Sequence, residues 1–443
     1  MLTRIVRVSV TRAVPVVAIF AAIGAFPTFG ATPYVAEAHG SAAKPIPQAT
    51  KFAAGETPIG FGFSDSSPHQ VVRSSANRLY VSVPSCEDYP NCSGNVLAMY
   101  AARQPGIAHQ FDELDAAHRP RARGQRDSIG SSALAIDGSG RIDVAYITRN
   151  EGAYFTTFDV PSGRWGRAER LGRTDSGLTT QGREGIALAV DAAGNPHVAW
   201  TFLASQTKHI AYAWRSSGGW SHSSQIDDSR LGPSQGALHP TLAFAPNGTL
   251  LASWLVGNER AAYNFPDGRI AVRTRNPGGS WSPSVEIPER IAPPNPGYAA
   301  TTIDQGPSLL VTADRVAHLT FIDVEDAIRY WYSPDYRIWH GARQPNRQLT
   351  HDPVLGPDGN GGIFIYGHGT PAGDKNGHGN SLYRMQLAAG ATAWSPFNRI
   401  VSDPNVDCSV STRWSQFFHF FPKQIDYTYW NDHKPDFQIL GQF

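Results

Sequence analysis

The stretches ALAIDGSGRIDVAY (residues 133–146), ALAVDAAGNPHVAW (187–200) and TLAFAPNGTLLASW (241–254) are three copies of one pattern. In each, an apolar run leads to a turn with glycine at a fixed offset, Gly140, Gly194 and Gly248, and a second alternating run ends on an aromatic residue. Two short runs of this kind joined by a glycine turn read as a β-hairpin. Looser copies lie at 71–83, 309–321, 353–367 and 417–430, which brings the count to seven. Asp137, Asp191 and Asp358 recur in the turns, where an aspartate carboxylate bonds the backbone ahead of the glycine.

A second element follows the hairpins, a strand and then a turn that leads to tryptophan: PSGRW (Trp165), RSSGGW (Trp220), NPGGSW (Trp281), SPDYRIW (Trp339) and AAGATAW (Trp394). The tryptophans are 55, 61, 58 and 55 residues apart. Four short strands per unit, repeated with constant punctuation, describe blades packed face to face around an axis. No blade alone could bury both its faces. The sequence therefore predicts an all-β, seven-bladed β-propeller with four-stranded blades, forming a single domain over residues 66–443. The last unit has room for three strands, so part of residues 44–64 is expected to complete it and to pair the two ends of the chain. Residues 39–65 are read as a linker and this closing strand.

Composition agrees with that architecture. Of 443 residues, 41% are hydrophobic and 17% charged, and 43 Gly and 33 Pro argue against disorder and against long helices. Lys and Arg number 38 against 37 Asp and Glu, a net charge of +1, so the field that would hold a nucleic acid is missing. Arg4, Arg7 and Arg12 precede an apolar run from Ala13 to Gly30, the layout of a secretory signal peptide, with cleavage after Ala38 or Ala31. A retained anchor is the rival reading. Residues 1–38 are taken as the signal, and the mature protein is expected to be secreted or periplasmic, with no stable membrane span. Cys86 and Cys92 bracket a short loop and are expected to form a disulfide, which leaves Cys408 without an evident partner.

The tryptophan turns resemble a worn Asp-box, Ser/Thr-x-Asp-x-Gly-x-x-Trp, the repeat of sialidase-like or BNR-repeat propellers. Ser333-Pro334-Asp335 comes nearest, although Arg337 stands where glycine is expected and the motif is one residue short. The resemblance spans nearly the whole mature chain and implies the fold, since these repeats are shared by hydrolases, lyases and lectins. His239-Pro240 and His351-Asp352-Pro353 begin equivalent strands, Tyr366-Gly367-His368 ends the hairpin that His351 begins, and a Gly-rich loop with Asp374 and His378 follows. This pattern is similar to propeller polysaccharide lyases of the ulvan-lyase type. By that resemblance His239 or His351 would be the base, Tyr366 or Tyr263 the acid, and Arg413 or Arg183 the group that neutralises a uronate carboxylate. No Arg-Ile-Pro or Arg-Leu-Pro signal of a true sialidase is present.

Aligning the hairpins places the segments that lead into first strands, and the ends of second strands, at one mouth. His69, Arg183, Glu184, Asp323, His368 and Arg413 join the two histidines there as candidates for binding or catalysis. Hydrolysis would instead need two carboxyls about 5–10 Å apart, for which Glu184 and Asp352 are the best pair. His197 and His318 lie within second strands and are read as structural. The expected partner is a polysaccharide or oligosaccharide. No cofactor or metal is required, and a calcium loop at Asp374-Lys375-Asn376-Gly377 is the one candidate. The alternatives to an enzyme are a non-catalytic lectin and a scaffold for protein partners. A lectin should repeat its site from blade to blade, whereas the polar residues at the mouth differ.

Overall fold

The computed structural model describes the strands from Thr57 to Gln442 and their shorter connections, leaving out residues 60–69, 75, 77, 87–94, 103–110, 119–128, 138, 149–151, 173–184, 205–206, 228–234, 259–267, 290–306, 324–326, 344–348, 370–380, 397, 403–417, 422–423 and 431–437. The chain divides into Met1–Lys51, which lies outside the described residues, and Phe52–Phe443. The signal segment and most of the linker therefore lie outside them too.

After β1 (Thr57–Ile59), blade 1 consists of β2 (Gln70–Arg73), β3 (Leu79–Cys86), β4 (Asn95–Ala102) and β5 (Phe111–His118). Blade 2 consists of β6 (Ile129–Ile136), β7 (Ile142–Thr148), β8 (Ala153–Asp159), β9 (Arg164–Trp165) and β10 (Glu169–Gly172). Blade 3 consists of β11 (Ile186–Val190), β12 (Pro196–Ala204), β13 (Thr207–Ser216), β14 (Gly219–Trp220) and β15 (Ser224–Gln225). Blade 4 contains β16 (Gln235–Phe244), β17 (Leu250–Asn258), β18 (Arg269–Arg275) and β19 (Val285–Glu286). Blade 5 contains β20 (Ser308–Val311), β21 (Ala317–Ile322), β22 (Ile328–Ser333) and β23 (His340–Arg343). Blade 6 contains β24 (Leu349–Pro357), β25 (Ile363–Gly369), β26 (Ser381–Leu387) and β27 (Asn398–Ser402). The remaining sheet joins β28 (Phe418–Phe421), β29 (Gln424–Trp430) and β30 (Gln438–Gln442) to β1, in the order β1-β30-β29-β28. Its strand β28 touches both β2 and β24, so this sheet lies between blades 6 and 1.

The expectation of a seven-bladed propeller with four-stranded blades is corrected by this topology: the blades number six, not seven. Six blades repeat along the chain as runs of consecutive strands, and two of them, blades 2 and 3, carry a fifth short strand. The sheet that closes the ring is a composite of the two ends and lacks the repeat's hallmark. In each of the six blades the first hairpin shuts the same way: the N–H of Ser74, Asp137, Asp191, Ala245, Thr312 or Asp358 donates to the carbonyl four residues on, at 2.8–3.0 Å. Where the residue is aspartate, its Oδ1 accepts two further N–H groups across the turn: from Ser139 and Arg141, from Ala193 and Asn195, and from Asn360 and Gly362. The glycine that follows takes a positive φ, 85° at Gly140 and 80° at Gly194, which a β-carbon would disfavour. The copy at 417–430 instead pairs Phe421 with Gln424 across a two-residue connection. Without the aspartate turn, it keeps the strand pattern and not the repeat.

Among the described residues five apolar clusters join the six blades in sequence, each drawing on two neighbours. Leu97 and Met99 of blade 1 meet Ile142 and Tyr146 of blade 2, and Ile328 and Tyr330 of blade 5 meet Ile363 and Met385 of blade 6. Tryptophan locks three of these joints edge-on against the third strand of the preceding blade. The ring centroids are 4.9 Å apart for Trp220 and Phe155, 5.0 Å for Trp281 and Tyr212, and 5.1 Å for Trp394 and Tyr330. Such a pair adds about 0.5–1.5 kcal/mol beyond the area it buries. The serine after the tryptophan then closes the turn: Ser221, Ser282 and Ser395 accept on Oγ from the N–H of Trp214, Thr274 and Gln386. Asp335, in the turn nearest the Asp-box, accepts from Ser333 Oγ and from the N–H groups of Arg337 and Ile338.

One position of the repeat shows how the scaffold treats polar groups. Register aligns Asp143, His197, Leu251 and His318 on their second strands. His197 Nδ1 lies 2.5 Å from Tyr212 Oη, and His318 Nδ1 lies 2.7 Å from Tyr330 Oη. Burial pushes both imidazoles down to about 4, against the pull of Asp191 on one and Asp314 on the other. Both are therefore neutral framework residues. Asp143 is fully buried, and desolvation raises its carboxyl to about 7 even though Arg141 Nε is 3.3 Å away.

Two predictions arise here. Deleting residues 44–64 removes β1, exposes an edge of the closing sheet and is expected to lower the melting temperature markedly; a truncated protein that melts with the full-length one would refute the closure. Asp143 has a folded-state value above its unfolded one, so its stability contribution is complete below about pH 4 and drains away as pH rises through 7. Asp143→Asn is expected to melt several degrees higher than wild type above neutrality, with the margin vanishing near pH 4, as scanning calorimetry across pH would show.

Candidate functional site

In an up-and-down blade the start of the first strand and the end of the second face one end of the ring, and the hairpin and tryptophan turns face the other. Two first strands are irregular at the mouth end. The register of β16 on β17 breaks between Leu238 and Thr241, the segment that holds His239 and Pro240. In β24 the register shifts on both sides of His351, between Leu349 and His351 and again between His351 and Val354, where Asp352 and Pro353 lie. A bulge places an extra residue on one strand and re-aims the chain, and proline, lacking an N–H, is tolerated there.

His239 adopts a φ of 54°. The other described non-glycine residues with positive φ, Arg315 and Tyr336, belong to turns at the opposite end. The left-handed region costs an L-residue on the order of 1–2 kcal/mol, so the surroundings must hold His239 in place. Part of the mould is Gly185, at the start of blade 3, with a φ of 85°. A β-carbon on Gly185 would lie 3.2 Å from His239 Cα and 3.4 Å from its Nδ1. His239 is 8% exposed.

The structure separates the other candidates. His351 and His368 are direct cross-strand partners in β24 and β25, so two residues picked from different parts of the motif become neighbours. Asp352 lies in the same bulge. Tyr366 is fully buried on the face of β25 opposite to Ile363 and Ile365, which pack against blade 5, and its ring centroid lies 5.7 Å from that of Phe364. Burial raises its hydroxyl above the ordinary tyrosine range, with the Arg384 guanidinium pulling the other way. Tyr366 thus sits inside the blade and does not line the mouth. Asp323 is also enclosed: its Oδ1 accepts from the Ala327 N–H at 3.0 Å, its Oδ2 pairs with Arg329, and Arg329 Nε reaches Glu289 at 3.0 Å. These contacts tie Asp323, expected to bind substrate, to Ala327 and Arg329 at the start of β22. His69, Arg183, Glu184, Tyr263, Arg413 and Cys92 lie outside the described residues, as do Asp374 and His378. The expected disulfide partner Cys86 ends β3. Among the described residues no group of three or more His, Cys, Asp or Glu is placed to hold a metal ion, and no helix is long and apolar enough to cross a membrane.

One polar group at this end was not singled out from the sequence. His209, at the start of β13, has its Nδ1 2.7 Å from Asp227 Oδ2, and Asp227 Oδ1 accepts from the Ile210 N–H at 2.7 Å. Gln225 Nε2 is 3.1 Å from both Asp227 Oδ2 and His209 Nδ1. Burial raises the Asp227 carboxyl, with the His209 and Ile210 bonds lowering it. The usable signal was the run Gln225-Ile226-Asp227 after Trp220, which matches Glu286-Ile287 after Trp281.

The chain matches no protein-family model and no curated protein. Among solved structures it is similar to the polysaccharide lyase Uly1, at 11% identity over 84% of this chain and 89% of that one, with a TM-score of 0.49. It is similar to a Penicillium chrysogenum α-L-arabinanase complexed with arabinobiose, at 11% identity over 76% and 99% of the two chains and a TM-score of 0.47. It is also similar to the Hadza microbial sialidase Hz136, at 12% identity over 78% and 73% and a TM-score of 0.41. A sialidase and a polysaccharide lyase, the two kinds of protein its motifs resemble, are thus both among its structural neighbours.

Gly185→Ala tests the mould around His239. The variant is expected to lose about 1–2 kcal/mol, read as a shift of the denaturant midpoint at unchanged slope. An unshifted midpoint would mean that His239 is not held by this contact.

Proposed function

We propose that the protein acts on a carbohydrate polymer at the mouth of the propeller, by elimination at a uronate residue or by hydrolysis. The observation that carries the reading is the pair of bulged first strands in blades 4 and 6, each bringing a His and a Pro to the same end, one of them with a backbone conformation that costs stability. Strain of that kind persists at sites where a side chain must be aimed.

In elimination, a base removes the proton beside the uronate carboxylate, the electron pair becomes the carbon–carbon double bond, and the glycosidic oxygen leaves with a proton from an acid. An imidazole titrates near the working pH without large tuning, which suits His239 or His351 to the base role. Arg413 or Arg183 would offset the charge that gathers on the carboxylate. Tyr263 suits the acid role better than Tyr366, whose burial inside blade 6 fits a supporting position. Hydrolysis would use Glu184 and Asp352 as the carboxyl pair. Export follows from the reading of residues 1–38 as a signal, and a polymer too large to cross a membrane suits an enzyme outside it.

The test is to incubate the protein with uronate polymers and follow the ultraviolet absorbance of the unsaturated product, with reducing ends measured in parallel. Absorbance marks elimination, and reducing ends without it mark hydrolysis. His239→Asn keeps a residue that tolerates positive φ, and together with His351→Ala it is expected to cost at least a hundredfold in kcat/KM with a small change in melting temperature. Full activity in the folded double variant would remove both histidines from the mechanism.

A further inference from the structure

The mouth reading leaves His209, Asp227, Gln225 and Phe202 unused, although their geometry is that of a built site. Among the described residues His209 bonds through Nδ1 alone, to Asp227 Oδ2, and Nε2 is not among the buried polar atoms that lack a partner. The side chain is 17% exposed while the Asp227 carboxylate is fully enclosed. A carboxylate on Nδ1 fixes the tautomer with its proton there and presents Nε2 outward as an acceptor. Phe202 pairs directly with His209 across β12 and β13, its ring 5.6 Å away and only partly covered. Gln225 is exposed, with its amide nitrogen already engaged and its carbonyl oxygen left over. An acceptor, an amide oxygen and an aromatic face side by side suit a sugar ring, which offers hydroxyl donors at its edge and C–H groups on its face.

Two observations set this group apart from scaffold. The register equates Phe202 and His209 with Thr148 and Gly152 in blade 2, Val256 and Arg269 in blade 4, and Asp323 and Ala327 in blade 5. The carboxylate–imidazole pair is therefore not needed to build a blade. The group also lies at the mouth end. The carbonyl of Gly185, against His239, accepts from the Thr201 N–H, and Thr201 pairs with Ile210, the neighbour of His209. His209 is two strands out from β11, a distance of about 10 Å at the usual strand spacing. Phe202 packs on the cluster shared by blades 2 and 3, so the group opens toward the cleft between these blades.

We infer that the blade 2–blade 3 cleft carries an outer sugar-binding subsite, in which His209 Nε2, oriented by Asp227, accepts a hydroxyl of an oligosaccharide whose reacting portion lies at the central mouth. The inference rests on the carbohydrate reading above. Asp227 is a positioning residue, and Phe202 supplies the apolar platform.

The full-length protein is assayed with polygalacturonate, alginate and ulvan, and oligomers of increasing length are prepared from whichever polymer is cleaved. Wild type is expected to gain in kcat/KM as sugars are added. His209→Ala should abolish most of that gain through a KM about tenfold higher for long oligomers, and His209→Gln, which keeps an acceptor, should recover part of it. If His209→Ala fails to fold, His209→Gln and Phe202→Leu carry the comparison. A length dependence identical to wild type in folded variants overturns the subsite and leaves the mouth reading standing. If no polymer is cleaved, the mouth reading fails, and the subsite is judged by the imidazole resonance of His209 in histidine-labelled protein titrated with the same three polymers. A saturable shift there supports the subsite, and an unmoved resonance overturns it.

Discussion

Blades 2 to 5 each lend apolar residues to clusters on both of their faces, so the arrangement rests on burial between neighbouring blades. The edge-on seating of Trp220 on Phe155, Trp281 on Tyr212 and Trp394 on Tyr330 gives that burial a direction, because each ring belongs to one blade and its seat to the blade before. The order of the blades around the axis is thereby tied to the order of the repeats along the chain. The same constraint gives Trp220, Trp281 and Trp394 their place in the repeat: their rings are spent on the joints.

A ring of this kind must also close. The closing sheet draws one strand from the beginning of the chain and three from its end, and β1 pairs with β30 over Thr57 to Ile59. Six hairpins close with the same N–H to carbonyl bond four residues on, and the last hairpin pairs Phe421 with Gln424 instead. A composite sheet bears a different demand from a repeating blade, since it must pair the chain ends, and its departure from the repeat fits that demand.

The proposed function is placed where the repeat is broken. At one position the scaffold accepts Asp143, His197, Leu251 and His318 alike, provided each is buried and partnered or apolar, and such variation has no chemical meaning. At the mouth the departures are in the backbone itself, in the bulges of β16 and β24 and in the left-handed turn of His239 against Gly185. The His209–Asp227 pair is a third departure, made in side chains. These irregularities cost stability or fill no packing need, which separates them from polar residues that merely decorate a strand end.

The all-β repeat, the hairpin turns, the tryptophan joints and the structural character of His197 and His318 were legible from the sequence, because strand alternation and turn chemistry are local and recur at fixed offsets. The inequality of the last unit was legible only in part: the sequence leaves it room for three strands, but those strands alternate as well as any other and so counted as a seventh blade. The fates of Tyr366 and Asp323 were not legible: they stand at the right places in the pattern but turn inward, one beside Phe364 and the other to Arg329. Which face a side chain takes, and what already occupies its hydrogen bonds, depends on elements tens of residues away. For the same reason Asp227 meets His209 only in the folded blade, where strands separated by a turn come within a few ångströms.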